Sequence, residues 1–412
     1  MQIMLIEPFG RSPGHPAVYL SKLTRAFPTG HRITIVSYDG FIEDWIPSDI
    51  NHVVVTQKSK LVKLINRILP FPNTPLCQEI YYFVVTSLTI MSLKVLVKNK
   101  SDYVLNFTDG QILSLLLIGN ILSKSLFINL HSFIPFLAGS KRNREFKGKE
   151  YKGYKLIVAI ANVFVSLFLR RRIRNNSFIC HSQEIVDAYK SVGRFANVRY
   201  IPWGIEDLHT CTVKTFREEN EIPDKIFLVF GVNNPSKCYE TIFRAFSKLN
   251  FKKFKLLFVG KLSFKNANNP YLLSARYGLQ DNTIIIDDYV PEEDIPKYFL
   301  SADAVVVAYS KVFIGASGVL SHALEYRIPA IVSDVGQIGK FVKAGGLGLT
   351  FIPEYPEDLH KRIEEFLSLS DREIEAFREN ISGFVSQFSW ERIAQAQLEY
   401  YRGEEPNTTT LF

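Results

Sequence analysis

Gly315-Ala316-Ser317-Gly318-Val319-Leu320-Ser321-His322-Ala323-Leu324-Glu325-Tyr326-Arg327-Ile328-Pro329-Ala330-Ile331-Val332-Ser333-Asp334-Val335-Gly336 holds the reading of the fold. A strand ends near Tyr309, a loop of small residues follows, and a helix starts near Gly318. Ala330–Ser333 reads as the next strand. Glycine lets a ligand approach the backbone closely. A helix N-terminus presents unpaired N–H groups and positive potential, which suits phosphate. His322 and Glu325 stand three apart on one helical face, and either could accept a hydrogen bond from a ribose hydroxyl.

The same strand–turn–helix grammar extends in both directions. Lys225–Phe230, Phe254–Val259, Asn282–Ile286, Ala304–Val307 and Ala330–Ser333 are short apolar runs with helices between them, Tyr239–Leu249 among these. Gln2–Glu7, His31–Ser37, Val53–Thr56, Tyr103–Phe107, Leu126–Leu130, Phe178–Cys180 and Val198–Ile201 make an earlier series, with a helix at Pro16–Phe27. Buried strands alternating with helices indicate parallel sheets covered on both faces. The expected architecture is therefore α/β, with two doubly wound Rossmann-like domains joined near Trp203–Ile222. The expected boundaries are 1–205 and 206–388. Ligands of such sheets bind at the carboxyl ends of the strands, so two domains with facing strand ends imply a ligand cleft. A last helix at 389–402 begins at Ser389-Trp390-Glu391-Arg392, with Ser389 as its N-cap.

Two further turns carry candidate chemistry. Phe230-Gly231-Val232-Asn233-Asn234-Pro235-Ser236-Lys237 follows a strand and precedes a helix, where Lys237 could pair with a diphosphate. Asp287-Asp288-Tyr289-Val290-Pro291-Glu292-Glu293-Asp294 places acids in a helix first turn, with Tyr289 or Val290 able to flank a base. In the first half, Gly14 lies in the turn after the first strand, and His131 directly follows the strand Leu126–Leu130.

Composition narrows the function classes. The chain has 412 residues, 47% of them hydrophobic, and four cysteines without metal-ligand or disulfide-framework spacing. Free thiols suit a reducing, cytoplasmic setting. The start Met1-Gln2-Ile3-Met4-Leu5-Ile6 reads as a strand, not a signal peptide. Ile80–Leu93 and Leu156–Leu169 fall short of the roughly 18 apolar residues that span a bilayer. Charge is uneven: residues 1–205 hold 26 Lys+Arg against 12 Asp+Glu, and residues 206–412 hold 23 against 29. Lys141–Lys155 alone has seven basic and two acidic residues, interleaved with Phe146, Tyr151 and Tyr154. Near anionic lipid each such cation contributes about 1 kcal/mol. Peripheral docking on a membrane is expected from this segment; nucleic acid is not, since no recognition motif accompanies the charge.

Taken together, the segments resemble the family 4 (group 1) retaining glycosyltransferases of GT-B fold. Phe230–Phe246, Leu256-Leu257-Phe258-Val259-Gly260, Tyr277-Gly278-Leu279-Gln280-Asp281-Asn282, Tyr289-Val290-Pro291, Ala302-Asp303 and Gly315–Gly336 follow the family's order. Cys180-His181-Ser182-Gln183-Glu184, Ile201-Pro202-Trp203-Gly204-Ile205-Glu206 and Ser389–Tyr400 match its other signatures. The resemblance implies a nucleotide-sugar donor, a glycan, glycolipid or lipid-linked acceptor, no essential metal and no cofactor. It assigns Lys237 to the diphosphate and Gly315 to Leu320 (thus Ser317, Gly318, Val319 and Leu320) to donor sugar and phosphates. It puts Gly14 in the N-terminal glycine loop and His131 near the transferred sugar. It also implies that the last helix crosses back to the N-terminal domain. The family's glutamate pair falls on Ile314 and His322 when counted back from Pro329, or on Ser317 and Glu325 in a register shifted by three; the first needs no gap. The arginine expected after Gly231 is Val232. These departures keep a second expectation open, a non-catalytic binding or partner subunit of the same fold.

Overall fold

The computed structural model describes residues 1–7, 15–37, 49–54, 103–107, 126–130, 177–191, 197–233, 236–250, 253–262, 268–313 and 315–405. They form two compact units. One comprises Met1–Gly204 with Trp390–Phe412, and the other Ile205–Ser389.

The first unit has strands β1 (Gln2–Glu7), β2 (Arg32–Ser37), β3 (Asn51–Val54), β4 (Tyr103–Phe107), β5 (Leu126–Leu130), β6 (Ser177–Cys180) and β7 (Asn197–Tyr200). All seven pair in parallel in the order β3-β2-β1-β4-β5-β6-β7. Helices α1 (His15–Ala26) and α2 (Gln183–Ser191) belong to the same unit. Strand β3 begins two residues earlier than its sequence suggests, because Thr34 to Ser37 of β2 pair with Asn51 to Val54. Polar Asn51 and His52 are thereby recruited into the ladder by the neighbouring backbone.

The second unit opens with the single-turn helix α3 (Phe216–Glu219) and then strictly alternates. Strand β8 (Lys225–Phe230) leads to α4 (Tyr239–Ser247), β9 (Phe254–Val259) to α5 (Pro270–Arg276), and β10 (Thr283–Ile286) to α6 (Ile295–Phe299). Strand β11 (Ala304–Val307) then leads to α7 (Gly318–Glu325), β12 (Ala330–Ser333) to α8 (Gly336–Gly345), and β13 (Gly348–Phe351) to α9 (Pro356–Ser368) and α10 (Asp371–Gln387). The six strands are parallel in the order β10-β9-β8-β11-β12-β13. Strands β8, β11 and β12 are buried on both faces, which is why their sequences are unbroken apolar runs. Phe227, Phe243, Phe246, Phe254, Phe258 and Phe351 fill the core between sheet and helices. Phe243 stacks flat on Phe258 with centroids 5.1 Å apart.

The last helix, α11 (Trp390–Tyr401), belongs to the first unit and packs on α1. Trp390, Ile393, Ala394, Leu398 and Tyr401 share one core with Ile3, Leu5, Tyr19, Leu23 and Ile35. Buried Gln397 donates from Nε2 to the Tyr19 hydroxyl and accepts from the Tyr401 hydroxyl at 2.8 Å. Among the described residues no helix is long and apolar enough to cross a membrane. The apolar tracts Ile80–Leu93 and Leu156–Leu169 and the basic segment Lys141–Lys155 lie outside the described residues.

Candidate functional site

The strand order of the second unit reverses between β8 and β11. Chain leaving β8 turns one way and chain leaving β11 the other, so the ends of these two strands frame the crevice where open α/β sheets take ligands. Described residues of the two segments flagged in the sequence meet there: Lys237 bridges Tyr309, and the Ser236 carbonyl takes the Ser310 N–H at 2.9 Å.

Gly231 ends β8 with φ +90, and Gly260 ends the neighbouring β9 with φ +133. Both lie in the region that side chains other than glycine rarely adopt. A Cβ at Gly260 would stand 2.7 Å from the Gly231 carbonyl, so two strand ends come together here. A Cβ at Gly231 would stand 3.2 Å from Lys237 Nζ and 3.5 Å from Val319 Cγ2. That one position therefore joins the turn after β8, the lysine and the first turn of α7.

Lys237 is only 8% exposed. Its Nζ donates to the Phe230 carbonyl at 2.7 Å, and no carboxylate pairs with it among the described residues. Burial without a counter-charge disfavours the ammonium form and pulls its pKa down to about 7. The backbone at Lys237 bridges Tyr309 across the switch point. Asn268 holds this segment from behind: its amide donates to the Lys237 carbonyl at 2.7 Å and to Asn233 Oδ1 at 2.9 Å. Its Oδ1 takes the Tyr239 N–H, the first of α4, at 3.0 Å. Nothing in the spacing of Asn268 marks it beforehand, since it reaches its partners only through the fold.

Helix α7 is capped as the sequence suggests a helix start should be. Ser317 Oγ accepts the Leu320 N–H at 3.3 Å, and the Tyr309 hydroxyl lies 3.2 Å from the same oxygen. Tyr309 is itself fixed by Ser333 Oγ, which bonds both its N–H and its carbonyl at 2.9 Å, and by a flat stack on Phe313. The cap uses the Leu320 N–H, and the Leu320 side chain is buried. The N–H groups left without a partner among the described residues are those of Gly318 and Val319. They are the donors that a bound anion would meet.

His322 and Glu325 prove to be partners of each other. The imidazole Nδ1 lies 2.8 Å from Glu325 Oε2, with side chains 15% and 5% exposed. The Glu325 carbonyl takes the Leu208 N–H at 2.8 Å. His322 packs near Phe230 and Phe299, with centroids 6.4 and 5.6 Å away.

The remaining candidates stand apart. Tyr289 is 44% exposed, and no described contact joins it or Val290 to the Lys237 group. The acids after Pro291 form a 3-10 turn, Glu292–Asp294, ahead of α6. Val232 is 54% exposed. Gly14, His131 and Ile314 lie outside the described residues. Ala302-Asp303 is a structural joint. Asp303 accepts from Arg217, from Lys225 Nζ at 3.1 Å and from the Ile226 N–H at 2.9 Å, tying α3 to the start of β8.

Residues 212–383 match the family model described as glycosyl transferases group 1. No curated protein matches the chain. Among solved structures, sucrose-phosphate synthase from Thermosynechococcus elongatus superposes with a TM-score of 0.70 at 18% identity, covering 98% of this chain and 99% of that one. The Anabaena protein HepE in complex with UDP gives 0.69 at 16% identity, covering 98% and 100%. WaaG, a glycosyltransferase involved in lipopolysaccharide biosynthesis, gives 0.64 at 11% identity, covering 98% and 100%. At these identities the likeness is one of fold. The fold is GT-B, and the residues that match the group 1 glycosyl transferases model lie in the second unit, around the site just described.

Proposed function

We propose that the chain transfers a hexose-type sugar from a nucleotide-sugar donor to a polysaccharide, glycolipid or lipid-linked acceptor, with retention of anomeric configuration. The observation that carries this reading is Lys237: a buried amine with only a backbone carbonyl for partner among the described residues, beside the Gly231 turn and the first turn of α7. A diphosphate seated there would meet the ammonium group and the Gly318 and Val319 N–H groups. As the bond from sugar to phosphate breaks, negative charge grows on the leaving diphosphate. Donors already aimed at that charge stabilise the transition state without reorganising, usually the largest contribution to catalysis. The acceptor hydroxyl can pass its proton to the leaving phosphate, so the chemistry uses no metal, cofactor or protein base. The role implied for His131 is contact with the transferred sugar. A GT-B neighbour that holds UDP supports the choice of ligand class.

A panel of UDP-, GDP- and ADP-sugars in a thermal-shift assay tests this. A ligand at about 100 times its dissociation constant adds about 2.7 kcal/mol of stability. One donor should raise the melting temperature of the wild type and fail to do so for Lys237→Ala. No shift with any donor would reject the reading.

For the acceptor, the basic excess of residues 1–205 and the Lys141–Lys155 segment support a membrane-proximal, lipid-linked substrate reached from the cytoplasmic face. Co-sedimentation with vesicles should then fall with added salt and with loss of anionic lipid; insensitivity to both would reject docking. A second reading is favoured by Val232, Ile314 and His322, which stand where the family has an arginine and two glutamates. In that case the chain binds nucleotide but transfers nothing. Donor-dependent release of nucleoside diphosphate by the wild type, lost in Lys237→Ala, decides for the enzyme.

A further inference from the structure

Asn268-Asn269-Pro270 opens α5, with Pro270 at its first position and the Asn269 side chain accepting the Tyr271 N–H at 2.9 Å. That cap pins Asn268 at a helix start, and its own side chain reaches back to three groups around Lys237. Nδ2 donates to the Lys237 carbonyl at 2.7 Å and to Asn233 Oδ1 at 2.9 Å, while Oδ1 accepts the Tyr239 N–H at 3.0 Å. Asn233 is 1% exposed and answers by donating from its Nδ2 to the Asn268 carbonyl at 3.0 Å.

The partners fix which end of each amide is which. A backbone carbonyl only accepts and a backbone N–H only donates, so Asn268 must turn its nitrogen to Lys237 and its oxygen to Tyr239. Asn233 is locked in turn. Aspartate at 268 would lack both donors, a hydroxyl residue would have one, and glutamine would be a methylene too long. A satisfied network of this kind specifies one geometry. Here it sets where the Lys237 side chain starts, beside the Gly231 turn and Val319. Groups held in place before charge develops stabilise it without reorganising. We propose that Asn268 is a positioning residue for the donor diphosphate, acting through Lys237, which it holds in register with the first turn of α7. The inference rests on the nucleotide-sugar reading above. It adds a residue from the segment between β9 and α5, with no ligand contact of its own.

Calorimetric titration with UDP, GDP and ADP and with the matching monophosphates reads the effect. Asn268→Ala should weaken binding of the preferred diphosphate about tenfold, the size of one buried hydrogen bond, and weaken its monophosphate far less. In a Lys237→Ala background the same substitution should change diphosphate affinity by less than about twofold, because residues acting as one unit do not add. If Asn268 only supports the fold, its loss weakens both nucleotides alike, or costs as much without Lys237 as with it. Either result overturns the inference and leaves the nucleotide reading standing. A measurement on the wild type stands even if Asn268→Ala does not fold. In protein labelled with nitrogen-15 asparagine, the Asn268 side-chain amide protons should exchange slowly before any ligand is added; rapid exchange overturns the inference. Wild type that binds none of the six nucleotides overturns both readings.

Discussion

At the residue scale the molecule turns on one buried lysine. In the folded state the Lys237 pKa is pulled down to about 7 by burial, against about 10.4 for an exposed lysine. Between these values the unfolded chain binds the proton that the folded chain has released, so stability rises with pH across that window. Below about pH 7 the folded protein carries the full penalty of a buried charge. Lys237→Met should therefore melt higher than the wild type in ligand-free buffer at low pH, and the gap should close as pH rises toward 10. A gap that does not vary with pH would contradict this. Ligand has the opposite requirement, because a diphosphate pairs with the ammonium form. Its affinity should weaken above about pH 7 by up to roughly tenfold per pH unit, with proton uptake seen as buffer-dependent binding heat. The sequence showed where Lys237 stands but not that it is buried. Burial follows from the return of Tyr309 and Asn268 to the same place, 72 and 31 residues away in no recognisable pattern.

At the scale of single elements the sequence was most legible where strands are buried on both faces. Lys225–Phe230, Phe254–Val259, Ala304–Val307 and Ala330–Ser333 begin and end where the apolar runs do. Strand β13 went unread, because Gly348-Leu349-Thr350-Phe351 is short, follows Gly345 and Gly346, and is drawn into the sheet only by pairing with Ala330–Ser333. The start of α7 near Gly318 was legible from the loop of small residues before it, whereas the Ser317 cap emerges only in the structure. Ser317→Ala should cost about 1 kcal/mol in denaturant unfolding, the usual worth of a cap. Asp303→Ala should cost more, about 2 kcal/mol, because it strands Arg217, Lys225 and the Ile226 N–H together. Nucleotide affinity should hardly change in Asp303→Ala, since that joint lies at the opposite ends of the strands from Gly231; a large loss of affinity would contradict this.

At the scale of the whole molecule the chain makes two doubly wound units and returns at its end to the first. The return is anchored at one glycine. A Cβ at Gly204 would stand 2.3 Å from the ring of Trp390, which packs with Tyr19 and Trp203. This gives a steric reason for glycine in Ile201-Pro202-Trp203-Gly204-Ile205, a stretch the sequence marked only by its resemblance to a family signature. Gly204→Ala should destabilise the first unit by about 1–3 kcal/mol, the usual cost of overpacking a core, and loosen α11, detectable as faster amide exchange at Ile393 to Leu398. The repeated alternation of strand and helix made the two-unit architecture readable from the sequence. Gly14 and His131, expected to serve the first unit's share of the chemistry, lie outside the described residues. The central claim therefore rests on the second unit. A crystal structure with the nucleoside diphosphate that gives the largest thermal shift tests it most directly. The diphosphate should lie within hydrogen-bond reach of Lys237 Nζ and the Gly318 and Val319 N–H groups. Density for it anywhere else, with Lys237 still bonded only to the Phe230 carbonyl, would contradict the claim.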